Sequence, residues 1–84
     1  MEIEFTDTYT INSETGGMNF QAIVDGQNVV CKVSQEALQD INPKNRNDDI
    51  RTQFLSNQSR LEKIAESKLL HGNSNIFITS EDVL

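Results

Sequence analysis

The stretch MNFQAIVDGQNVVCKV, Met18 to Val33, constrains this chain more than any other. Asp25-Gly26 lies between two runs rich in β-formers. Such a pair supplies the positive φ angles that a type I′ turn needs at both central residues. A two-residue loop then fixes the register by counting: Val24 faces Gln27, Ala22 faces Val29, Phe20 faces Cys31 and Met18 faces Val33. Side chains alternate across a strand, so all of these share one face, and among them only Gln27 is polar. The other face carries Asn19, Gln21, Ile23, Asn28, Val30 and Lys32. One face is built to be covered and the other to meet water.

The rest of the chain supplies the cover. Ile3 and Phe5 alternate with Glu2 and Glu4, which predicts a short edge strand. Thr6 to Gly17 is rich in Thr, Ser, Asn and Gly and reads as a loop, pinned by Tyr9 and Ile11 and turned into the hairpin by Gly16-Gly17. Ser34 is an N-cap, with Glu36 in the first turn of a short helix that buries Ala37, Leu38 and Ile41. Asn42-Pro43 stops it, because the residue before a proline avoids the α region. After a polar link, Asp48 or Asp49 caps a long helix to about Leu70. Its apolar positions Ile50, Phe54, Leu61, Ile64, Ala65 and Leu69 fall on one side at about 100° per residue, and Asn57 and Gln58 interrupt them. His71-Gly72 ends the helix with a potential cation and a left-handed cap. Ile76 to Thr79 is a last strand, and Ser80 to Leu84 a polar tail with an apolar tip. The order β-ββ-α-α-β predicts an α+β fold of two layers, an antiparallel sheet with one short and one long helix on one face.

A chain of 84 residues is one domain, residues 1–84. Seven basic against thirteen acidic residues give a net charge of −6, which disfavours nucleic acid and anionic membrane as partners. Cys31 is the single cysteine, so no internal disulfide can form. On the covered face it acts as a small hydrophobe, and a reducing compartment follows as the simpler inference. No apolar run reaches ten residues, and MEIEFTD lacks the start of a signal peptide. These features predict a soluble, cytoplasmic protein.

The candidate chemistry is sparse. Cys31 with His71 as base needs mutual contact and a third, orienting group, yet one faces the core and the other a helix end. Asp48-Asp49 and Glu81-Asp82 are acidic pairs without His or Cys at ligand spacing, and read as a helix start and a solvated tail. No phosphate-binding glycine loop, nucleophile elbow or zinc spacing occurs, and no cofactor is implied. Arg46, Arg51, Arg60, Lys63 and Lys68 could touch nucleic acid, but Glu62 and Glu66 interleave with them, as on a solvated helix face.

The run FQAIVDGQNVVCKVSQEAL, then Phe54, Asn57, Leu61-Glu62, Ala65, Lys68 and Gly72, resembles the small bacterial domain-of-unknown-function family 1488 over nearly the whole chain. Gln58 stands where that pattern has an arginine. The resemblance implies no established activity, cofactor or catalytic residue. The residues themselves point to a non-catalytic protein-interaction module, with a homodimer as one form. Its candidate contact patch is Ile23 and Val30, diagonal neighbours on the open face. The alternative is a small ligand-binding or regulatory protein with a polar site at Asn57 and Gln58.

Overall fold

The computed structural model describes residues 1–45, 47–73 and 75–84. Its elements are β1 (Ile3–Ile11), β2 (Met18–Val24), β3 (Gln27–Val33), α1 (Gln35–Ile41), a 3-10 turn (Pro43–Asn45), α2 (Ile50–Ser56), α3 (Gln58–Leu70), β4 (Ile76–Ile78) and α4 (Ser80–Val83). The strands form one sheet in the order β1-β2-β3-β4. The fold is α+β, as the order of elements predicts.

The hairpin takes the counted register at every position, from Val24↔Gln27 to Met18↔Val33. Asp25 and Gly26 have φ of 49° and 85°, the two positive angles of the primed turn. Met18, Phe20, Ala22, Cys31 and Val33 are buried on the inner face. Helical Ala37, Leu38, Ile41, Phe54, Leu61, Ala65, Leu69 and Val83 join them in one core cluster. Gly17 leads into β2 where a Cβ would come within 2.0 Å of the Val33 carbonyl oxygen.

Four expectations change. First, β1 does not end at Phe5 but continues to Ile11, through a stretch read as loop. Its register slips between Phe5↔Ala22 and Tyr9↔Phe20, so four residues of β1 advance against two of β2, and the alternation that marks a strand is lost. Tyr9 is pinned, with its ring 5.3 Å from that of Phe54, whereas Ile11 is exposed. Second, β4 pairs parallel to β3, making the otherwise antiparallel sheet mixed. The chain between them passes through α1, α2 and α3, long enough for the crossover that a parallel pair requires.

Third, the long helix is two helices. Asn57 leaves helical geometry at φ −124°, ψ 16°. Its side-chain amide donates to the Gln53 carbonyl at 2.8 Å and its backbone N–H to the Phe54 carbonyl at 3.0 Å, closing α2. Its own carbonyl accepts from Leu61, opening α3. Fourth, residues 80–83 are not a solvated tail but a short helix that buries Val83. The Asp82 carboxylate accepts from the Thr79 N–H at 2.9 Å and pairs with Lys68 at 3.1 Å. Burial would raise the Asp82 carboxyl, but these partners outweigh it and hold the pKa below the ordinary value.

The remaining helix ends follow the sequence. The Ser34 hydroxyl accepts from the Ala37 N–H at 3.0 Å, and Asp49 accepts from the Thr52 N–H at 2.8 Å. Gly72 has φ of 88°. Its N–H bonds Leu69 and that of Asn73 bonds Lys68, the paired bonds of a Schellman ending. The predicted turn at residues 73–75 includes Ser74, which lies outside the described residues.

Candidate interaction surface

The helices cover one face of the sheet and leave the other open. In β4, Ile76 and Ile78 are 2% and 0% exposed while Phe77 between them is 47% exposed. Phe77 pairs with Lys32 in register, and Val30, two residues earlier on β3, is 46% exposed. A depression of about 210 Å³ lies among Val30, Lys32, Asn75, Ile76 and Phe77. Ile23 keeps its place diagonal to Val30 but is only half-exposed, with Glu4 on β1 and Asn28 on β3 as its partners. It borders a separate, smaller depression with Glu2, Glu4 and Gly26.

Phe77 also borders a larger depression, about 480 Å³, at the carboxyl ends of β3 and β4, where α1 and α4 begin. Ser34, Glu36, Thr79, Ser80 and Glu81 complete its lining. Glu36 and Glu81 are exposed in the first turns of their helices, while Ser34 and Thr79 are engaged in capping. The surface therefore centres on an aromatic ring, with an aliphatic side chain and Lys32 on one side and two carboxylates on the other. Sequence reasoning found Val30 and missed Phe77. The signal was available: alternation within Ile76-Phe77-Ile78 puts Phe77 opposite two isoleucines.

The other candidates lie elsewhere. Asn57 uses its amide to close α2, and the Gln58 amide donates to Glu62 at 3.1 Å along α3; neither lines the three depressions above. Cys31 is fully buried, and burial pushes its thiol up to about 11, so it stays protonated at neutral pH. His71 is exposed, with Nδ1 2.6 Å from the Ser67 carbonyl oxygen. The acidic pairs divide their roles: Asp49 and Asp82 cap helices. Among the described residues no group of three or more His, Cys, Asp or Glu gathers as metal ligands.

Three of the six described cations are engaged within the chain. The Arg51 guanidinium lies 5.3 Å from the Tyr9 ring centroid. Arg60 donates to the carbonyls of Ile41 at 3.1 Å and Val83 at 3.0 Å, binding the ends of α1 and α4 together. Lys68 holds Asp82. Arg46 lies outside the described residues. No helix among the described residues is long and apolar enough to cross a membrane.

Fold and surface define a small two-layer α+β protein with an uncovered, partly apolar sheet edge. The chain belongs to the DUF1488 family of proteins of unknown function, whose model matches residues 3–78, from the first strand to the last. No curated protein and no solved structure matches it.

Proposed function

We propose that this is a non-catalytic, cytoplasmic protein-interaction module that binds through the outer sheet face around β4. The carrying observation is the adjacent exposure of Val30 and Phe77 on the open face of the last strands. Isolated surface apolar residues need no explanation, but an aromatic and an aliphatic side chain together on an open sheet edge form a contact patch. The non-catalytic part is supported by the burial of Cys31 and by the internal engagement of Asn57. A lone buried thiol supports the cytoplasmic part. The patch differs from the Ile23/Val30 pair in that its centre moves from β2 to β4.

The test compares the wild type with a Val30→Thr, Phe77→Thr double variant, which keeps β-forming residues on the strands. Sedimentation equilibrium from low to high micromolar concentration reads self-association. Quantitative affinity capture from a bacterial lysate reads other partners. The reading expects at least one association that the folded double variant loses. Identical behaviour of the two proteins in both assays overturns it.

A further inference from the structure

We infer that β4 is the acceptor edge for an extended, basic segment of a partner protein, which adds to the sheet as a further strand and sets a Lys or Arg over Glu36 and Glu81. The inference rests on the interaction reading above and specifies its occupant.

Backbone geometry supplies the first argument. β4 is the last strand of the sheet and has β3 as its neighbour. The Ser34 N–H donates to the Ile78 carbonyl at 3.0 Å, so the backbone groups of Ile78 face β3. Successive residues of a strand present these groups to opposite sides, so the N–H and C=O of Phe77 point to the open edge. A free edge can template strand addition, in which main-chain bonds give affinity and depressions for alternate side chains give specificity. β4 is three residues long, so Phe77 supplies the outward main-chain pair and the depressions beside it carry most of the recognition. Phe77 borders both depressions, one on the outer face with Val30 and Lys32 and the other at the carboxyl ends of β3 and β4. The opposite edge is unlike it: β1 is interrupted between Phe5 and Tyr9 and carries Glu2, Glu4 and Asp7 at or near its start. Irregularity and charge both blunt an edge.

Electrostatics selects the occupant. The groove beyond Phe77 has Glu36 and Glu81 and no cation among its lining residues. A Lys or Arg placed there meets carboxylates beside an exposed ring, and cation–π attraction adds to the charge pairing. A second copy fits less well, because it brings the same net charge of −6 and three of its six described cations, Arg51, Arg60 and Lys68, are engaged within their own chain.

The test is an NMR amide-shift titration of the full chain with a capped hexapeptide of alternating Val and Arg. Two controls accompany it: the same peptide N-methylated at alternate peptide groups, which keeps charge and removes strand pairing, and an alternating Val-Glu hexapeptide. The expected result is shifts concentrated at Val30 to Glu36 and Ile76 to Glu81, with affinity about tenfold weaker for each control. Glu36→Gln with Glu81→Gln in the protein, exposed changes that leave the core intact, reproduces the loss for the Val-Arg peptide. Equal binding of the N-methylated peptide, shifts centred elsewhere, or no binding overturns the inference. A dimer through the Phe77 edge that the peptide does not dissociate overturns it in favour of a second copy. If the peptide fails while the Val30/Phe77 double variant still loses an association, the interaction reading stands and the basic strand falls. If both fail, both fall.

Discussion

Val30 and Cys31 are neighbours in β3 and meet different surroundings: Val30 is 46% exposed and Cys31 is fully buried. The same contrast runs along β4, where Phe77 faces outward between two buried isoleucines. The inner face is covered from Met18 to Ala22 and from Cys31 to Val33, where helical side chains pack on it and Phe54 of α2 meets Phe20. The outer face has none of this cover. One strand thus carries two kinds of residue: those whose loss unfolds the protein, and those whose loss costs only what they touch from outside.

The largest break in that comparison is Phe54→Ala. The ring is fully buried, 5.3 Å from Tyr9 and 5.4 Å from Phe20. Its removal is expected to cost about 3–5 kcal/mol in urea denaturation followed by circular dichroism.

Cys31 probes the same face by pH. Its thiol is raised from 9.0 to about 11 in the folded protein. The folded state holds the proton more tightly, so this contribution is fully present below pH 9.0 and is lost as pH rises through about 11. The loss amounts to about 2–3 kcal/mol at most, at 1.36 kcal/mol per unit. Urea midpoints measured across that window should fall more steeply for the wild type than for Cys31→Ala. Equal slopes would show that the thiol is not sealed from water.

Arg60 tests the covering layer. Arg60→Ala removes the bonds that join the carboxyl ends of α1 and α4, with an expected cost of about 1–2 kcal/mol. Hydrogen exchange should then quicken at Leu84, whose N–H is bonded to Ser80. The smallest effect belongs to the open face. Phe77→Thr should change stability by about 0.5 kcal/mol or less, while weakening any association that uses the Phe77 ring. A loss comparable to that of Phe54→Ala would place Phe77 in the folding core and remove the contrast.

Most of the hairpin was legible because its signals are local. Two residues set the turn, the turn sets the register, and the register sorts every side chain to a face. The caps at Ser34 and Asp49 and the ending at Gly72 were legible for the same reason. The cap at Thr79 was equally local: Thr79 with Asp82 three residues later is a capping-box pattern, hidden by the polar look of the segment. The break at Asn57 left a trace, since Asn57 and Gln58 interrupt the apolar stripe, but the stripe of α2 runs on into α3 with one period and reads as a single helix. Of the candidate surface, Val30 followed from the hairpin count, whereas Phe77 also required knowing that β4 ends the sheet.

The sequence by itself determined the hairpin, its two faces, the start of α1 and the end of α3, and the burial of Cys31, because each depends on neighbours a few residues apart. Tertiary structure decided the rest. The direction of β4 depends on where three helices return the chain. The partners of Arg60 lie 19 and 23 residues away in sequence. That the outer face around Phe77 stays open depends on every helix choosing the other side, a choice that no local run of residues encodes.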